Sequence, residues 1–175
     1  MEAQNAAILR DALVAGYKGE HAATKRVIAA VPADKGHYTP DEKSMTALTL
    51  AWHIASAETW FMNSTADGEF KMDGEGGKMP AEIKTAADVA AWYEAEFPKA
   101  LARIEALSGE HLAKPVTFAV WTMPLIDILS IGLRHSVHHR GQLSAYLRPM
   151  GAKVPSIYGP SADVTPEEVV RQASA

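Results

Sequence analysis

The residues best suited to chemistry in this 175-residue chain are histidines, and their spacing points to a ligand set. The stretch Arg134-His135-Ser136-Val137-His138-His139-Arg140-Gly141-Gln142 places His135 and His139 four positions apart. On a helix both imidazoles share one face, one turn apart, where they can chelate a single ion. The same spacing holds zinc in the His-Glu-x-x-His metalloproteases. Here Ser136 follows His135, so the general-base glutamate of those enzymes is missing and a zinc protease is rejected. His138, three residues from His135, competes as the second ligand, while the stepping 132, 135, 139, 142 favours His139. A tight site needs a third protein ligand, with water or substrate in the open positions. His53 is the best candidate: it sits on an amphipathic segment with Trp52 and Trp60 and can face a bundle interior. Three neutral imidazoles with open positions suit zinc, nickel or a similar borderline ion. Such an ion can acidify a bound water or thiol.

A second reading of the same residues stays open at this level. Histidines on amphipathic helices also serve as hydrogen-bonded core or boundary groups, and paired histidines occur on solvated faces. His21 lies on the inner stripe of its helix, where it can support a site from behind. His37 in a polar loop and His111 just past a helix end read as bystanders.

The elements that must position these histidines are helical. Leu9, Leu13, Tyr17, His21, Thr24, Ile28 and Val31 recur at helical spacing, so a first helix is expected over about 2–31, ended by Pro32. A second, starting near Asp41 or Ser44 and ending near Asn63, carries a seam of Met45, Leu48, Trp52, Ala55, Thr59 and Met62. A Gly-rich loop through Gly74 to Gly77 follows. A third begins at Thr85, where Asp88 completes a capping box, and ends by Gly109. Pro98 inside it should kink or divide it. A fourth runs from about Pro124 to Pro149 or Gly151 with the seam Ile128, Gly132, His135, His139, Gln142 and Tyr146. Residues 116–121 read as extended, without an obvious partner. The tail from Thr165 reads as a short peripheral helix. Four long helices with one seam each imply an all-α four-helix bundle, one domain over 1–175 with the tail after about 160 peripheral.

Composition limits the function. The chain has no cysteine, which removes disulfides, thiolate metal sites and cysteine nucleophiles, so any thiol in the reaction must be a small molecule. A formal net charge of −4 lacks the positive field that nucleic acid binding needs. The N-terminus lacks a secretory pattern and no apolar run is long enough to span a membrane, so a cytoplasmic location is expected.

Three stretches carry a family resemblance. HSVHHRGQLSAYLRPMGAKVPSIYG resembles the C-terminal signature of the DinB/YfiT-like metalloenzyme superfamily, the damage-inducible four-helix protein and not the DNA polymerase of that name. ALTLAWHIASAETWFMN resembles the second helix of that family, and VPADKGHYTPDEKS its connection between helices one and two. The resemblance implies a four-helix bundle with a three-histidine metal site, whose ligands fall on His53, His135 and His139. It further implies zinc or nickel, a homodimer, and thiol-dependent transferase or isomerase chemistry with mycothiol, bacillithiol or glutathione. Pro98 and the Gly74–Gly77 loop depart from the pattern without touching the ligands.

The neighbouring residues have candidate roles. Gly141 can admit a close helix or loop, and Gln142 can orient an imidazole or a bound water from outside the ligand set. Arg140 and Arg148 can hold a substrate carboxylate or simply form surface ion pairs. Tyr158 can fold back over the bundle end. Glu58, five residues past His53, faces another side of its helix and is a poor base. The function expected is a metal-dependent enzyme activating a small-molecule thiol or water, of thiol S-transferase or hydrolase type. The alternatives are a non-catalytic metal- or small-molecule-binding stress-response bundle, or a structural bundle with core histidines.

Overall fold

The computed structural model describes residues 1–72, 74 and 77–173. Positions 73, 75 and 76, and with them part of the expected Gly-rich loop, lie outside the described residues. The long helices are α1 (Ala3–Ala29), α2 (Ala47–Asp67), α3 (Ala86–Glu105) and α5 (Leu125–Leu147). A short α4 (Gly109–Leu112) and a hairpin of β1 (Pro115–Phe118) and β2 (Trp121–Pro124) join α3 to α5, and α6 (Pro166–Ala173) closes the chain. The main packing pairs are α2 with α5, α2 with α3, α1 with α3 and α1 with α5. Consecutive α1 and α2 are therefore diagonal partners in an all-α four-helix bundle, which is why a long connection separates them. Among the described residues no helix is long and apolar enough to cross a membrane.

The helix ends follow local chemistry that the periodic pattern alone does not resolve. Asp41 does not start α2. Its Oδ1 accepts from the Lys43 and Ser44 amides, which ties it into its own turn. Thr46 caps α2 instead, its side chain accepting from the Thr49 amide. At the other end α2 runs on to Asp67, because Gly68 at φ 75° supplies the left-handed cap. The Thr85–Asp88 capping box forms as expected. Pro98 does not divide α3: the helix is continuous through it, with Tyr93, Phe97, Ala100 and Leu101 buried. Glu94 and Pro98 are both exposed, so the carbonyl deprived of its amide partner lies on the watered face. The extended piece at 116–121 does have a partner. β1 pairs antiparallel with β2, Phe118 opposite Trp121, across a turn in which Ala119 takes φ 53°.

One glycine sets the spacing around the site. A Cβ on Gly132 would lie 2.7 Å from Phe61 Cβ and 2.8 Å from the Tyr17 hydroxyl, so α1, α2 and α5 meet there without room for a methyl. Gly141, by contrast, has open space around it and admits no close neighbour. Gly132→Ala is expected to destabilise the fold by about 1–2 kcal/mol, overpacking outweighing the helix-propensity gain of roughly 1 kcal/mol. Urea unfolding of variant and wild type reads this directly.

Candidate metal centre

α2 and α5 lie side by side, and their facing surfaces bring His53, His135 and His139 together. The ring centroids of His53 lie 4.8 Å from His135 and 4.6 Å from His139, and those of His135 and His139 are 4.3 Å apart. The Nε2 atoms of His53 and His135 face each other at 3.2 Å. One potential ligand atom from each histidine lies within 4.8 Å of the others, and all three residues are half-buried. Two nitrogens about 2.0–2.1 Å from one tetrahedral zinc sit roughly 3.3 Å apart. The His53–His135 pair already has that separation, and His139 is within reach of a ring rotation. The group could hold a metal ion, and among the described residues no carboxylate joins it. His138 is exposed beside His139, with ring centroids 4.9 Å apart, and stays outside the group.

The electrostatics favour neutral imidazoles. Burial, then the neighbouring His139, lowers the pKa of His53. His135 is pushed down to about 4 by burial and then by His139, His53 and His138. Burial also lowers His139, against the opposing pull of Gln142. Neutral rings offer lone pairs near neutral pH, and an all-nitrogen donor set suits a borderline divalent ion. Gln142 Oε1 lies 2.6 Å from His139 Nδ1, the geometry that puts the proton on Nδ1, which donates to Oε1, and leaves the Nε2 lone pair free to bind an ion. His135 Nδ1 is buried without such a partner.

A cavity of about 400 Å³ opens beside His53 and His135, walled by Trp60, Phe61 and Phe118. It combines α2 with β1, and no periodicity in the chain marks it. The only available signal was the aromatic pair Trp60-Phe61 just past His53. Apolar walls on one side of the histidines exclude water and strengthen electrostatic interactions within the site.

On its other face α5 carries a polar group of a different kind. Arg140 is 1% exposed, not a surface residue. Its Nη1 donates to Glu20 Oε2 at 2.5 Å and to Thr24 Oγ1 at 3.2 Å, and its Nη2 donates to the Tyr158 hydroxyl at 2.6 Å. Tyr158 does fold back: its hydroxyl donates to Glu20, and its ring lies 5.1 Å from the guanidinium. Arg148 pairs with Asp163 at the surface. Glu58, fully buried, accepts a short hydrogen bond from Tyr93 and turns away from the histidines into this interior. Its Oε1 and the Ser136 hydroxyl are buried without a partner in good geometry.

Burial raises the Glu58 carboxyl to about 7, against the Tyr93 hydrogen bond and the Arg140 charge, which favour ionisation. The folded chain therefore keeps a proton that the unfolded chain releases near 4.5, and stability falls as pH rises from there through about 7. Glu58→Gln removes this slope. Its stability relative to wild type is expected to rise by about 3 kcal/mol between about pH 4.5 and about pH 8, measured by urea unfolding across that range.

The remaining histidines stand apart. His21 stacks on Phe97 at 4.1 Å and adjoins Glu94, away from the centre. His111 lies within α4, its Nε2 2.9 Å from the Thr65 carbonyl, and His37 is exposed.

Comparison with known proteins agrees with this architecture. Bacillus subtilis (strain 168) YrdA, described as uncharacterized, is 24% identical over 153 residues, covering 87% of this chain and 90% of its own. The crystal structure of a DinB-like protein, YjoA, from Bacillus subtilis superposes with a TM-score of 0.67 at 24% identity, covering 83% of this chain and 96% of that one. A DinB-like protein from Bacillus cereus ATCC 10987 gives 0.70 at 20% identity, over 85% and 97% of the two chains. These likenesses show a shared fold. The DinB family model matches residues 2–168, nearly the whole length, and on that match the chain belongs to the DinB family.

Proposed function

We propose that His53, His135 and His139 bind one divalent ion, zinc or nickel, and that the protein is a metal-dependent enzyme of thiol S-transferase or hydrolase type. The observation that carries this reading is the convergence of three imidazoles from two helices, with the Nε2 atoms of His53 and His135 at 3.2 Å. Bound there, the ion supplies Lewis acidity that makes a coordinated thiol or water nucleophilic near neutral pH. Gln142 holds the His139 proton at Nδ1 and fixes that ring. The Trp60, Phe61 and Phe118 wall keeps water from one side. With no cysteine in the chain, the sulfur nucleophile is a low-molecular-weight thiol. The family resemblance supports a homodimer acting on small molecules, while the formal net charge of −4 and the lack of a long apolar run support a cytoplasmic protein with neither nucleic acid nor membrane as partner.

One observation favours the non-catalytic alternative: among the described residues no carboxylate joins the three histidines, and Glu58 points into the core. The test is turnover by the zinc- or nickel-loaded protein, with bacillithiol, mycothiol or glutathione and electrophilic or ester substrates, against the metal-free protein. Metal-dependent loss of thiol or ester is expected. Metal uptake without any turnover favours the binding protein.

A further inference from the structure

We propose that the cavity beside the histidines seats a small aromatic compound against the wall formed by Trp60, Phe61 and Phe118, its reactive end at His53 and His135. The proposal rests on the metal-dependent reading above and names one substrate class for it. Aromatic side chains are concentrated here: three of the chain's four phenylalanines, Phe61, Phe70 and Phe118, pack with Trp60. Ring centroids of Trp60 and Phe61 are 5.0 Å apart and those of Phe61 and Phe118 5.8 Å, direct contacts that make one continuous aromatic wall against which a further ring can pack edge-on or offset. Phe61 also lies 5.5 Å from the His135 ring, so the aromatic wall runs directly into the donor group. Ala57 on the same wall leaves room that a larger residue would fill. The volume of about 400 Å³ falls within the range of small-molecule sites.

The two sides of the centre differ in chemistry. His139 opens instead on a surface formed with Lys43, Ser44, Met45, Leu50, Gln142 and Tyr146, where polar groups take a larger share than on the aromatic side. A hydrophilic thiol is suited to that side and the aromatic compound to the other. The thiol sulfur gives its proton to solvent and forms a bond to the electrophilic carbon of the aromatic compound. The leaving group departs with the electron pair of its former bond to that carbon. Lys71 lines the mouth of the aromatic side, and its ion pair with Glu69 is long at 3.8 Å, so an anionic ring substituent is tolerated there.

The probe is 1-anilinonaphthalene-8-sulfonate, titrated by fluorescence into metal-free and zinc-loaded protein. One equivalent per chain is expected to bind both forms. Ala57→Trp fills the cavity and Phe118→Asp places a charge in its wall. Each is expected to weaken binding by about tenfold or more, while Ile8→Asp, at an exposed apolar position elsewhere, changes it by less than about twofold. Circular dichroism checks that the variants keep their helices, and elemental analysis that they keep zinc. No binding to wild type, or undiminished binding to both cavity variants, overturns the proposal while leaving the metal reading intact. Binding with the expected pattern in a protein that takes up no zinc overturns the metal reading and leaves the aromatic seat standing.

Discussion

His135→Ala should abolish metal uptake while leaving the metal-free protein about as stable as before. His135 projects from α5 beside both His53 and His139, and its Nε2 faces His53 Nε2 at 3.2 Å. Loss of a supporting group outside the ligand set typically costs about 10–100-fold in metal affinity, so loss of a ligand should cost more than about 100-fold. Elemental analysis after zinc or nickel reloading should show about one ion per wild-type chain and almost none in the variant. The stability measurement separates the two readings of the histidines. Among the described residues His135 Nδ1 is buried and unpartnered, so the imidazole is a poor structural core group, and its removal should cost the metal-free fold little. Zinc at a thousandfold excess over its dissociation constant should stabilise wild type by about 4 kcal/mol and the variant by nothing measurable. A large loss of stability in the metal-free variant, with metal uptake unchanged, would instead identify the histidines as structural. His138→Ala should leave metal content unchanged, because that ring stands outside the group.

Arg140→Met should produce the largest loss of stability. Arg140 ties together α1 through Glu20 and Thr24 and the C-terminal segment through Tyr158, while its charge offsets that of Glu58 on α2. Methionine fills much of the volume but leaves those groups without their cation. Breaking a buried ion pair from one side costs about 3–5 kcal/mol, and the loss here should approach that range at alkaline pH. At acid pH it should shrink, because a protonated Glu58 no longer needs the positive charge. Adding Glu58→Leu should recover part of the loss, and urea unfolding of the single and double variants measures the coupling. The segment around Tyr158 should open with Arg140→Met, read as faster amide exchange there. Metal uptake should persist, since Arg140 belongs to a different stripe of α5, turned about 100° from His139.

These two effects share a structural origin. Adjacent residues on a helix point about 100° apart, so His135 with His139 and Ser136 with Arg140 form two parallel stripes on α5. Both stripes have helical period. The series 135, 139, 142, 146 reads as a seam, but 136, 140, 143, 147 is equally regular, and it is the second that is buried. The first includes the exposed Gln142 and carries two of the three clustered histidines. On α2 the buried series Ala51, Ile54, Glu58, Phe61 and Thr65 likewise includes a carboxylate among its apolar members. A charged residue in such a series reads as a solvated position until the partner that accepts it is known.

Local chemistry explains what the chain alone determined. The four long helices follow from apolar period, the Thr85 cap from its partner Asp88, and the grouping of His135 with His139 from the pitch of one helix. His53 could be named because its helix and its resemblance to a known family coincide. Tertiary packing alone decided the rest. Placing α1 and α2 on the diagonal brought α2 against α5, and so His53 against His135 at 3.2 Å. Pairing β1 with β2 carried Phe118 to Trp60 and Phe61 and made an aromatic cavity from residues distant in sequence. Burying Arg140 and Glu58 required groups from every long helix of the bundle. Helical period records which side chains share a face, whereas the environment that face meets depends on contacts between elements far apart along the chain.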